Sequence, residues 1–310
     1  AALRDSVSVG SLSVLGGAAR IGWGAGPVTL TVAGDALVSN SAAALTFTNS
    51  DVSVGGSLTL VSQGSLTVSA GVTNNSIGTT GSLVRIGGDI VVGSNSWIYP
   101  CSDPTNGGSA VFRARHVVIE GTNGGFNADA RGYVYGGTAF GSGLPAQSRQ
   151  GGAYGGCGGG AVLNARTYGS SNAPVDSGSP GYSENTKGRG GGAVRIEASG
   201  IVAVNGIVSA NGESVGGYSA GGSGGSVYIT CRNFAGGPAA VLRARGGNGS
   251  VQDAAGGGGG RIAVWSVSRA FAGAVSVTNG LTLAGYTIQA TPGTVVWGSI
   301  AASGTVIMIR

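Results

Sequence analysis

With 310 residues, 65 of them glycine, and 9% charged against 41% hydrophobic, the chain is neither a disordered polymer nor a collagen. Disordered segments stay polar and charged because they cannot bury enough apolar surface to offset ordering entropy; collagen needs a strict glycine period and abundant proline, and only eight prolines occur here. The net charge of +5 is spread over arginines placed singly from Arg4 to Arg310 plus one lysine, Lys187, whereas nucleic-acid binders gather cations on one face, so no nucleic-acid partner is expected.

The first elements are short alternating runs: Val7-Ser-Val9, Leu12-Ser-Val14, Val28 to Val32, Leu45 to Thr48, Leu58-Thr-Leu60 and Leu66-Thr-Val68. Apolar and hydroxyl residues alternating at period two predict strands with one buried face, and Gly, Asn, Ser or Asp ends each run. From Gly81 the pattern changes to Gly81-Ser-Leu-Val-Arg-Ile86 and Gly108-Ser-Ala-Val-Phe112, with Ile90-Val-Val and Val117-Val-Ile-Glu following. Closer copies come next, starting at Gly159, Gly191, Gly224 and Gly259, the last three reading GGAVRIEA, GGSVYITC and GGRIAVWS. Ile201 to Gly212 supplies a clear second strand pair. No window carries a helical period.

A unit of strand, short turn, strand, Gly/Asn turn, strand and Gly-rich excursion cannot bury its own apolar face, but stacked copies can. The expected fold is therefore all-β, a right-handed parallel β-helix forming one domain over 1–310. Residues 1–100 form short-repeat turns, 101–260 Gly-rich turns and 261–310 C-terminal turns. On the order of ten to fourteen coils are expected, each adding roughly 4.8 Å. Glycine in the runs at 151–160 and 216–225 permits positive φ and close backbone approach, with the runs either stacked on one side or looping freely.

The run Gly56-Ser-Leu-Thr-Leu-Val-Ser-Gln-Gly-Ser-Leu-Thr-Val-Ser-Ala-Gly71 resembles the repeats of filamentous haemagglutinins and autotransporter passengers. The Gly-Gly-Ala-Val-Arg-Ile repeat resembles large Gly-rich bacterial surface proteins. The resemblance implies the fold and an extracellular or cell-surface location. It implies no activity, since function lives in sites rather than folds.

Candidate chemistry is sparse. Glycoside hydrolysis uses two carboxylates about 5–10 Å apart, and the twelve acids are scattered. The densest polar cluster is His116, Glu120, Asp129 and Arg131, read chiefly as turn and surface polarity. His116 is the only histidine, and no helix follows any candidate nucleophilic serine. Gly246 to Asp253 is the nearest match to a calcium nonapeptide but misplaces its acid, so no cofactor is expected, with structural calcium the one option left open. Thr29 and Thr31, and Thr46 and Thr48, form two hydroxyl pairs, too few for a flat array. Trp23, Trp97, Trp265 and Trp297 are dispersed rather than set in a sugar-stacking row. Cys101, Cys157 and Cys231 leave room for one disulfide, or for three buried thiols.

No apolar run reaches the roughly 18 residues of a membrane helix. The start, AALRDS, has no leader pattern and reads as a processed end, and Arg310 after Gly304 to Ile309 suits cleavage after arginine. Strand residues Val7, Val9, Leu12 and Val14 at one end, and Val306, Ile307, Met308 and Ile309 at the other, read as uncapped. They are the candidate assembly strands of a non-enzymatic structural protein stacking head to tail with itself. The alternatives are a monomeric adhesin or glycan-binding module whose partner is a cell-surface polysaccharide and, third, a polysaccharide lyase or glycosidase.

Overall fold

The computed structural model describes residues 2–22, 27–71, 80–134, 149–161, 166–182, 188–250, 254–282 and 286–302. Among them there is no helix, and every strand ladder is parallel. In chain order the strands are β1 (Ala2–Leu3), β2 (Val7–Val9), β3 (Leu12–Val14), β4 (Ala18–Ile21), β5 (Val28–Val32), β6 (Ala36–Ser39), β7 (Ala44–Thr48) and β8 (Ser50–Val54). Next are β9 (Leu58–Val61), β10 (Ser65–Ser69), β11 (Thr80–Ile86), β12 (Asp89–Val92), β13 (Trp97–Cys101), β14 (Ser109–Ala114), β15 (His116–Ile119) and β16 (Gly125–Asn127). The last are β17 (Ala193–Ala198), β18 (Ile201–Val204), β19 (Ile207–Ser209), β20 (Ser226–Gly236), β21 (Val241–Arg243), β22 (Arg261–Phe271), β23 (Ala274–Ser276) and β24 (Thr294–Ser299).

Through β17 each strand pairs with the strand three places on, so three strands make one circuit. One sheet runs β1-β4-β7-β10-β13-β16-β19-β21-β23. The other has two arms, β2-β5-β8-β11-β14-β17 and β3-β6-β9-β12-β15-β18, which both end on β20. β20 and β22 are eleven residues long because they run unbroken through both arms, in register over ten pairs. Among the described residues the first sheet has nine strands, against the ten to fourteen coils expected.

Alternation decides which face is buried. In β5, Val28, Leu30 and Val32 point in while Thr29 and Thr31 face solvent. Register then stacks like on like: Leu30, Val52, Val84, Phe112, Ile196, Ile229 and Val264 form one inward column, each at most 2% exposed. Burying each such side chain stabilises by about 1.5–3 kcal/mol. The same parallel spacing aligns Ile90, Val117 and Val202 in the second arm.

The sequence repeats fall where this register needs them. Val194, Val227 and Ile262 of the Gly191, Gly224 and Gly259 copies are ladder partners. The Gly159 copy does not join them: β14 pairs directly with β17, Gly160 makes an antiparallel bridge to Ile288, and 162–165 lie outside the described residues. Strands β14, β17 and β22 are buried on both faces over their first four residues. Segment 166–182 crosses their outer side: Ser109 Oγ donates to Val175 O (3.4 Å), Arg261 Nη2 to Tyr168 O (2.8 Å) and Trp265 Nε1 to Asn172 O (2.7 Å).

Candidate functional site

The structure's most distinctive construction is built from the glycine runs. Successive circuits leave the first sheet after β19, β21 and β23, and return to the second at β20, β22 and β24. Each excursion has an outward leg (210–215, 244–250, 277–282) and a return leg (219–225, 254–260, 288–293). Segment 188–192 is the return leg into β17, and 149–160 lies against the return legs from outside.

These legs follow a period of three, not two. In the return leg 219–225, Gly221 N and Gly224 N donate to Ala255 O and Gly258 O of the next return leg. Gly222 N and Gly225 N donate to Glu213 O and Ala210 O of its own outward leg, and Ser223 N donates to Ser179 O. In the leg 254–260, Ala255 and Gly258 donate to Arg149 and Gly152, Gly257 and Gly260 to Gly247 and Ala244, and Gly259 to Thr291. A three-residue repeat is that of the polyproline II helix, which has no internal hydrogen bonds, so all of its N–H and C=O groups are free to bond sideways. Here they bond in three directions. The result is a core made of backbone, with every segment satisfied by neighbours as buried polar groups require.

Closeness, not handedness, demands glycine in this array. Among the glycines of 151–160 and 216–225, only Gly217 has positive φ (66°), so of the two properties glycine permits, close approach is the one these runs use. A methyl at Gly222 would instead overlap Arg189 O and sit 2.5 Å from its carbonyl carbon. The legs are stacked on one another, not looping freely.

Side chains complete the array at its solvent edge. Asn211 Oδ1 accepts from Arg245 N (2.8 Å), Ser214 Oγ from Asn248 N (2.9 Å) and Asn248 Oδ1 from Leu281 N (2.9 Å). Asp129 starts this ladder: it accepts from Asn211 N (2.6 Å), from Asn211 Nδ2 (3.1 Å) and from Ser209 Oγ, with Arg243 at 3.8 Å. Glu213 Oε2 likewise accepts from Arg189 N (2.9 Å). Sequence reasoning missed Asn211, Ser214 and Asn248. Their signal was polar residues three apart, recurring after 34 positions.

The candidate cluster is not assembled. His116 Nδ1 accepts from Ile201 N (2.8 Å) at the start of β15, opposite Asp89 in the ladder. Glu120 lies just past the far end of that strand, roughly 13 Å along it, and is exposed. Arg131 donates to Asp129 O (3.1 Å) and stacks 4.6 Å over the Tyr99 ring. Asp89 is held below the usual carboxylate range by its bidentate bonds from Arg115 (3.0 and 3.1 Å).

The remaining candidates are dispersed as well. Thr29 and Thr31 lie on β5 of one sheet, Thr46 and Thr48 on β7 of the other. Trp97 stacks on Tyr99 (6.4 Å), Trp265 anchors segment 166–182, and Trp297 packs on Phe234 and Phe271. Trp23, Asp253 and Val306, Ile307, Met308 and Ile309 lie outside the described residues.

Of the two options the sequence leaves open, the structure has free thiols at Cys101, Cys157 and Cys231, with Cys231 buried and the other two half-buried. They stand on three different elements: the end of β13, the outer glycine segment and the interior side of β20. Burial pushes the Cys231 thiol up to about 11 and raises Cys101 as well. Among the described residues no three His, Cys, Asp or Glu side chains are grouped to hold a metal ion, and no helix is long and apolar enough to cross a membrane. No protein family, curated protein or solved structure matches the chain.

Proposed function

We propose that this chain is a non-enzymatic, extracellular structural protein, a right-handed parallel β-helix that stacks end to end with itself into a filament or sheath. The three-direction glycine array carries this reading. It adds a second core beside the apolar one and ties the later circuits, those that return at β17, β20, β22 and β24, to one another through backbone, which suits a part whose task is to hold shape. The hand follows from the near-universal right-handedness of parallel β crossovers. The resemblance to haemagglutinin and autotransporter repeats supports the exported location.

Self-association rests on strand edges. Among the described residues β2 and β3 pair on one side only, with β5 and β6. Their Val7, Val9 and Leu12 are half-buried against the core cluster. Such an edge accepts a further parallel strand from whichever chain supplies it.

Negative-stain electron microscopy over a concentration series tests the proposal. Rods should lengthen well past the roughly 40 Å of nine stacked strands, and Val9→Lys with Leu12→Lys should shorten them. Uniform short particles at every concentration would overturn it. A second reading, a monomeric surface adhesin, draws on an arginine-lined groove on the outer side of the stack.

A further inference from the structure

Where the two arms of the second sheet meet, the outer surface is concave. A groove of about 530 Å³ is lined there by Ser53, Arg85, Arg113, Arg115 and Ser199. Ser199 also borders a second depression of about 230 Å³, which carries on to Thr230 and Arg232. Register makes the two one continuous groove along the stack. Ser53, Arg85, Arg113, Glu197 and Thr230 are successive ladder partners. The corner continues through Gly200 N donating to Arg115 O (2.8 Å) and Arg232 N to Gly200 O (2.9 Å).

Charge along this groove is unbalanced. Arg113 is paired with Glu197 (2.5 Å) and Arg115 with Asp89 (3.0 Å). Arg85 and Arg232 are exposed, and among the described residues no carboxylate pairs with either. Arg85 sits beside Arg113 in the ladder, an arrangement of like charges that costs stability, while the carboxylate that balances Arg113 lies on its far side. An anion from outside relieves that repulsion. Arg85 and Arg232 are three circuits apart, roughly 14 Å, so a ligand serving both is extended and carries repeated negative charge along the stack axis.

We propose that this groove binds a linear acidic polysaccharide. Guanidinium groups take planar carboxylates, and sulfates, through paired hydrogen bonds. Ser53 stands beside Arg85, and Ser199 and Thr230 border the depression that holds Arg232, as partners for sugar hydroxyls. A single-stranded nucleic acid fits less well: such grooves combine cations with aromatic stacking platforms, and the lining residues here carry no aromatic ring. The proposal holds whether or not the coils assemble.

Binding of the full chain to immobilised polygalacturonate, dextran sulfate, neutral dextran and single-stranded DNA at low ionic strength provides the test. At least one of the two acidic polysaccharides is expected to bind, and which one does separates carboxylate from sulfate recognition. Neutral dextran is expected not to bind. Arg85→Ala with Arg232→Ala should weaken binding about tenfold or more, the loss expected for a charge-assisted contact, with unchanged circular dichroism. Arg20→Ala on the other sheet should change it less than about twofold. Failure of both acidic polysaccharides to bind, an unchanged affinity in the double variant, or tighter binding of DNA than of either polysaccharide would each overturn the proposal.

Discussion

Replacing Gly222 by alanine tests whether the glycine array is the rigid core inferred here. Its new methyl group would overlap Arg189 O and stand 2.5 Å from Arg189 C and 3.0 Å from Gly188 O. Ordinary contact requires segment 188–192 to retreat by about 1 Å. That segment is bonded to Gly222's own leg through Gly188 N to Ala220 O (3.3 Å) and Gly191 N to Ser223 O (2.9 Å), so the retreat stretches both bonds. Overpacking costs about 1–3 kcal/mol, and two weakened hydrogen bonds add about 1 kcal/mol each. Loss of glycine's freedom in the unfolded chain returns about 0.5–1 kcal/mol. The net destabilisation is about 2–4 kcal/mol. At about 2.1 cal/mol/K per residue over 310 residues, this lowers the melting temperature by about 3–6 °C. Gly16, with nothing within 4 Å of an added methyl, is the control, and Gly16→Ala should leave the midpoint unchanged or slightly higher. Thermal melts followed by far-ultraviolet circular dichroism measure both. A Gly222→Ala midpoint within about 1 °C of the parent would refute the close approach and the core built on it.

Three further outcomes are expected. Asp129→Ala leaves Asn211 N and Ser209 Oγ without their acceptor and should cost about 2–3 kcal/mol in urea unfolding; a change under about 0.5 kcal/mol would remove Asp129 from the edge ladder. Burial, with Asp176 and Asp103 adding to it, pushes the Tyr133 hydroxyl up to about 12. The folded state therefore favours the neutral phenol: its stability contribution is complete below pH 10 and falls by roughly 3 kcal/mol as pH rises from 10 to 12. Tyr133→Phe should flatten that slope in alkaline denaturation, and ultraviolet titration showing Tyr133 ionising near pH 10 would contradict it. Cys231, 3% exposed and with its thiol pushed up by burial to about 11, should resist iodoacetamide at pH 8 while half-buried Cys157 reacts. Peptide mapping that finds the two labelled equally would place Cys231 wrongly.

The strands were legible because side chains report them. Val28-Thr-Leu-Thr-Val32 states which atoms go inside, and the Gly191, Gly224 and Gly259 copies state which strands are neighbours. Other features were not legible, for identifiable reasons. The Gly159 copy matches the repeat in residue type, yet its described residues 159–161 lie in the outer glycine layer, because the ladder passes directly from β14 to β17. The glycine runs carry no side-chain signal, so a period of three in backbone bonding leaves no trace in hydropathy. Asp129 looked like part of a polar cluster with His116 because they are close in sequence. In space its carboxylate meets Asn211 and Arg243, residues more than 80 positions on.

The two cores constrain each other through a shared spacing. Parallel sheets set successive circuits about 4.8 Å apart, and outward legs that leave adjacent strands inherit that separation at their roots. Gly212 N bonding to Arg245 O and Gly246 N to Thr278 O show the legs keeping step with the sheets. Side chains fill the space between strands of the apolar core. Between the legs, the backbone of the next segment fills it, which is why Gly225 meets Gly192 and Gly260 meets Gly225 at distances no methyl group could share. A residue with a side chain in one leg therefore displaces segments of neighbouring circuits and, through them, the strands they lead into. Abundant glycine and low charge here follow from the demands of a backbone-packed solid.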